Sequence, residues 1–169
     1  MTVEDSSKVD EILKTIDELI NTYVKVGVLS KEGGEMLMIA NVHEFGVNIK
    51  VTEKMRAFFA YNFGAWIAKD MIKIPERSFI RSSFDKHEKE LNDLGMKMLP
   101  KVIEKEISVN AFYSLLGQKS VNYIRGFITA VIPPGLSPLT LSIKGANKGT
   151  PLIDTGHLIS SISYEIVGG

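Results

Sequence analysis

His43 and Glu44 stand side by side in MLMIANVHEF, and zinc-protease chemistry would begin from such a pair. That motif needs a second His four residues on, on the same helix face, with the Glu as general base. Position 47 is Val47, so the motif fails. His43, His87 and His157 are the only histidines, and no two have ligand spacing. Scattered structural or surface roles account for them without a metal. Asp154 and His157, with serines nearby, invite a Ser-His-Asp reading, which needs three groups in mutual hydrogen-bond reach. A capped helical turn explains both residues with less, and no GxSxG elbow occurs. Gly33-Gly34 lacks the Lys-Ser/Thr of a phosphate loop, and GANKG (145–149) has no strand before it, so both read as turns. No residue is assigned a catalytic, cofactor-binding or metal-binding role, and the expectation is a protein that is not an enzyme.

Two further clusters bear on binding. Phe58, Phe59, Tyr61, Phe63 and Trp66 fall within nine residues. A base-stacking platform would need more interleaved cations than Lys54, Arg56 and Lys69 supply. The helical spacing of Met55, Phe58, Phe59 and Phe63 assigns them to a core face. Tyr61 and Trp66 fall off that stripe and are candidate interface anchors. The run RSSFDKHEKELND (81–93) reads as a solvated helix face with pairs such as Asp85–Lys89 and Lys86–Glu90.

Charge and composition narrow the field. Twenty basic and twenty acidic residues cancel, which argues against general nucleic-acid binding. Neutrality also leaves little self-repulsion to oppose association. Residues 107–169 hold only two acids and four bases, the pattern of core or interface. Cysteine is absent, which excludes disulfides and thiolate metal sites and fits a reducing cytosol. MTVEDSSKVDEI is acidic and polar, unlike a secretory signal, and no apolar run is long enough to span a membrane.

The elements that must position these residues follow from periodicity. Ser6 or Ser7 is expected to cap a first helix, whose stripe is Val9, Ile12, Leu13, Ile16, Leu19, Ile20 and Tyr23, ending near Asn21 or Thr22. VKVGVL (24–29) is a strand, SKEGGE (30–35) a turn, and MLMIANVHEF (36–45) a helix stopped by Gly46. VNIKV (47–51) is a second strand. Thr52 caps the aromatic helix, and KDMIKIP (69–75) is a short strand or extended loop. Residues 78–107 are mostly helical, with Pro100 expected to kink or restart the helix. A third long helix covers 110–132 and should be largely buried. Pro133-Pro134-Gly135 breaks it, and Ser137 and Pro138 open a short helix. The order lacks βαβ alternation and predicts an α+β fold, a small mixed or antiparallel sheet packed against several long helices. One domain is expected over 1–169, with an amphipathic N-terminal helix over 1–23.

In PLIDTGHLISSISYEIV (151–167), Asp154 suits an N-cap, accepting from the backbone N–H of Gly156 or His157. Leu158, Ile159 and Ile162 would anchor the turn to the core. From Ile162 the period becomes two, with Ile162, Tyr164 and Ile166 on one face and Ser161, Ser163 and Glu165 on the other. The segment reads as loop, capped turn and strand.

PPGLSPLTLSIKGANKGTPLIDTGHLISSISYEIV (133–167) resembles the C-terminal signature of the phage virion-morphogenesis, or tail-completion, family. Its "LSP-T---K" element falls on Leu136, Ser137, Pro138, Thr140 and Lys144. Its "PLIDTG-L--SI-Y-V" element falls on Pro151, Leu152, Ile153, Asp154, Thr155, Gly156, Leu158, Ser161, Ile162, Tyr164 and Val167. Upstream, VGVL, ANVHEFG, VTEKMRAFFA and IPERSF match the family's order of elements. Ile74, Pro75, Arg77 and Phe79 fit an "IP-RPF" motif in which Ser78 replaces the second proline. The likeness covers 24–167.

This resemblance implies a non-enzymatic virion part that completes the tail or neck of a tailed phage or prophage and helps join head to tail. Such parts form homo-oligomeric rings around the DNA channel, commonly hexamers; related neck proteins also occur as dodecamers. Implied partners are the connector or adaptor and the tail terminator, with non-specific proximity to channel DNA, no cofactor and no membrane. The implied location is the virion, and the host cytoplasm during assembly. Irregular segments on a rigid scaffold often carry binding. The candidate contacts are therefore SKEGGE, the segment of Arg77, Phe79 and Arg81, and the loop of Pro133, Pro134 and Leu136. The alternative is an assembly chaperone that forms no ring, or a minor tail component.

Overall fold

A computed structural model of the chain describes residues 3–130, 133–144, 150–153 and 155–168. The first helix, α1 (Val3–Asn21), already contains Ser6 and Ser7, so neither is its cap. Thr22, buried, leads into β1 (Tyr23–Val28). A 3-10 turn at Ser30–Glu32 precedes α2 (Gly34–Phe45). Gly46 follows with φ 69, and a Cβ there would lie 2.7 Å from the Glu76 nitrogen. Only glycine lets the two backbones approach this closely.

Next come β2 (Val47–Lys50), α3 (Glu53–Phe63) and β3 (Met71–Ile74). Thr52 Oγ1 accepts from the Met55 nitrogen at 3.3 Å, as a cap should, and Gly64 ends α3 in the left-handed region. β2 and β3 pair antiparallel from Val47↔Ile74 to Lys50↔Met71. Residues 47–74 thus form an arm, a two-stranded ribbon bearing a helix.

The long helices α4 (Arg81–Ile103) and α5 (Val109–Thr129) form a hairpin. The helix does not restart at Pro100 but runs through it to Ile103. Pro100 sits in the last turn of α4, where its missing N–H interrupts little helix, and Lys105, at φ 60, turns the chain instead. Ser108 Oγ accepts from the Ala111 nitrogen at 3.1 Å and caps α5. Ser137 caps α6 (Pro138–Ile143) in the same way. α7 (His157–Ser161) leads directly into β4 (Ile162–Val167).

The class is α+β, as expected. The strands form two separate antiparallel ribbons rather than one sheet. β4 pairs with β1 from Tyr23↔Val167 to Val28↔Ile162, and this ribbon packs on α5. At the contact, a Cβ on Gly117 would come 2.6 Å from the Tyr164 ring, so glycine sets the helix–ribbon distance. The main core gathers Phe79, Ile128 and Ile162, each fully buried, with Ala40, Val121, Ile124, Leu152 and Leu158. Burying one such large side chain contributes about 1.5–3 kcal/mol. A second cluster, Val102, Val109 and Phe112, fills the hairpin turn with Leu19 of α1 against it.

The phenylalanines of α3 are not core. α3 buries no residue. Phe58, Phe59 and Phe63 pack on one another instead, with ring centroids 5.7–5.9 Å apart. Helical spacing reports that a face is apolar; it does not say whether the same chain supplies a cover.

Candidate functional site

The C-terminal segment 155–167 runs from a short helical turn into a strand. Leu152, Leu158, Ser161 and Ile162 are buried, and Ser161 Oγ donates to the Leu158 carbonyl at 2.8 Å. The Arg125 guanidinium donates to the Ile162 carbonyl at 2.8 Å, where turn becomes strand. Gly156 stands at the N-cap position of α7 with φ 83. Asp154, expected there as cap, lies outside the described residues, as does the GANKG turn (145–149). Thr155 is exposed.

The Arg77–Arg81 segment departs from its expected role. Phe79 is 0% exposed and belongs to the core, so it offers nothing to a partner. Arg77 is 5% exposed and acts as an internal clamp. It donates to the Pro134 carbonyl at 2.8 Å and the Gly135 carbonyl at 3.3 Å, and its backbone nitrogen donates to the His43 carbonyl. Burial holds its guanidinium below the usual arginine range. Pro133 and Pro134 are exposed and Leu136 is half-buried, so this loop faces solvent while Arg77 fixes its base.

Arg81 leads to Glu44, which in sequence is half of a zinc motif that fails. Glu44, buried in α2, accepts from the backbone nitrogens of Ile80 and Arg81 and from Arg81 Nε, all at 3.0 Å. Arg81 also donates to Glu76 at 2.7 Å. Ile80, at the N-cap of α4, has no side chain able to cap, and Glu44 fills that role from 36 residues upstream. A carboxylate there also meets the positive end of the helix dipole. Arg81 remains half exposed.

The histidines do not converge. His43 and His157 line one cavity of about 330 Å³ with Met36 and Leu152. His87 lies elsewhere, stacked on Tyr123 at 3.9 Å, its Nδ1 2.9 Å from the Ser83 carbonyl. Among the described residues no group of three His, Cys, Asp or Glu could hold a metal ion. Burial, then the charges of Arg77 and Lys144, lower the pKa of His43. A larger groove of about 470 Å³ opens between β1, α4 and α5, walled by Val24, Val26, Ile80, Phe84 and Ile124. Ser83 Oγ is buried in its wall with no hydrogen-bond partner among the described residues.

Among the described residues, large apolar side chains are exposed on several elements, most densely on the arm and on α1. On the arm, Tyr61 is 91% exposed and Trp66 69%, with Phe58 and Phe63 also exposed. Arg56 braces this unit from inside: its guanidinium donates to the Ile67 carbonyl and pairs with Asp70 at 2.8 Å and Glu53 at 3.3 Å. On α1, Val9, Leu13, Ile16 and Ile20 are exposed, Ile20 by 75%. Over residues 8–21, Thr15, Ile12 and Leu19 turn inward, and Leu19 is fixed where its carbonyl accepts from Tyr113 Oη at 2.9 Å. The amphipathic stripe of α1 is therefore only half covered.

No protein-family profile, curated protein or solved structure matches this chain. No helix among the described residues is long and apolar enough to cross a membrane.

Proposed function

We propose that this chain is a non-enzymatic structural part of a tailed-phage virion, completing the tail or neck as a homo-oligomeric ring that helps join head to tail. The reading begins from the resemblance of residues 133–167 to the tail-completion signature. The observation that carries it is the amount of large apolar side chain left in water. A monomer seldom exposes contiguous apolar patches without an interaction to cover them. Here two such faces stand on different elements. The signature residues Leu152, Leu158 and Ile162 are buried in the core, Leu152 and Leu158 also lining the cavity of His43 and His157, and this packing suits a scaffold role. In the ring, the channel side lies near DNA, and the ends meet the connector and the tail terminator.

Deleting the gene in a phage or prophage that encodes the chain should leave full heads and tails unjoined in electron micrographs. Mass spectrometry of purified particles should find the chain in stoichiometric amount. Its absence from mature particles would favour the chaperone reading instead.

A further inference from the structure

We propose that copies of this chain associate head to tail, the aromatic arm of one copy seating on the exposed stripe of α1 of the next. The inference rests on the self-assembling part of the neck reading and names the two surfaces that meet.

Charge selects the pairing. Residues 47–74 carry Lys50, Lys54, Arg56, Lys69 and Lys73 against Glu53 and Asp70. Arg56 takes both acids, so the four lysines hold no ion pair among the described residues. Lys54 precedes Phe58 by four residues and Tyr61 by seven, which places all three on one exposed face of α3. On α1, Glu4, Asp5, Asp10, Glu11, Asp17 and Glu18 stand against Lys8 and Lys14. Lys105 takes Glu11. Asp10 and Asp17 lie three before and four after Leu13, so they border the aliphatic stripe. One face is aromatic, carries Lys54 and belongs to a lysine-rich arm; the other is aliphatic and edged by aspartate. A symmetric contact of either face with itself would set like charges together, which disfavours it. The 470 Å³ groove, with Arg81 and Asp85 in its wall, offers no such match.

Position agrees with charge. Glu44 binds the first turn of α4, and the arm leaves the chain immediately after α2. α1 is tied by Glu11 to Lys105, just beyond the other end of α4. A helix of 23 residues is about 34 Å long. The two faces thus sit toward opposite ends of one rigid rod, the arrangement a repeating contact requires. Such a heterologous contact closes into a ring when its rotation divides a full turn.

The absence of cysteine allows a direct test. A chain carrying both Tyr61→Cys and Leu13→Cys should give a ladder of covalent oligomers on oxidation, while each single variant stays monomeric on a non-reducing gel. In light scattering, Lys54→Glu with Lys69→Glu should weaken assembly about tenfold or more, as should Asp10→Lys with Asp17→Lys. All four changes in one chain should restore it. Every position is exposed, and unchanged thermal melting would verify folding. Assembly that ignores the reversals, or self-linking of Tyr61→Cys alone, would overturn the pairing and leave the ring reading standing. A chain that stays monomeric at every concentration would overturn both.

Discussion

Glu44 shows how one side chain can look catalytic in sequence and be structural in space. Its neighbour His43 suggests zinc; its contacts are two backbone N–H groups and Arg81. Glu44→Ala would leave both amides of the α4 start unmet inside the protein. We expect a loss of about 2–3 kcal/mol, read by urea denaturation, with Glu44→Gln losing less because its amide oxygen can still accept. His43 carries a pH dependence of definite sign. Its folded-state pKa is lowered, so below about 6.5 the unfolded chain takes up a proton that the folded chain resists. Stability should therefore fall as pH drops below that value, by at most about 1.4 kcal/mol per pH unit, until the lowered folded pKa is passed. His43→Gln should flatten that part of the denaturation profile between pH 7.5 and 5. An unchanged slope would assign the effect to other groups.

At the scale of the element, the arm behaves as a unit held by one cation. Asp70 and Glu53 are exposed, so their ion pairs with Arg56 contribute little. The bond from Arg56 to the Ile67 carbonyl matters more, because it ties the loop after α3 back onto the helix. Arg56→Met should speed amide exchange across residues 47–74 about tenfold, which corresponds to ~1.4 kcal/mol of local opening, and leave α5 protected. Equal acceleration in both would mean that the arm and core open together. Elements set by neighbouring residues were legible in the sequence: the caps at Thr52 and Ser137, the stop at Gly46, the strands at 24–29 and 47–51. Contacts between distant residues were not. Nothing local says that Glu44 caps α4, that Phe79 is core while Arg81 is surface, or that the phenylalanines of α3 lack a cover. Proline in a last turn and proline mid-helix look alike until the helix end is known, so Pro100 alone does not say whether the helix restarts.

For the whole molecule, the candidate site was legible in part. Tyr61 and Trp66 fell off the main apolar stripe, and both are exposed. The exposure of α1 could not be foreseen, since its stripe has the width of a packed helix and only tertiary structure shows half of it bare. Leu152, Leu158 and Ile162 fix shape from the core, and on the proposed reading the open faces are the part that meets neighbours. On this division, substitutions at Leu152 or Leu158 should lower the melting temperature, while substitutions at Trp66 or Leu13 should change assembly and leave melting nearly unchanged.

The β1–β4 ribbon joins stretches far apart in the chain. On the ribosome, residues 23–28 emerge long before residues 162–167 exist. Until then β1 has no strand beside it, and the apolar side of α5 waits for half of its cover. The growing chain is thus most open to capture by another strand, or to shelter by a chaperone, while residues 29–161 are being made. Only completion of β4 ends that exposure.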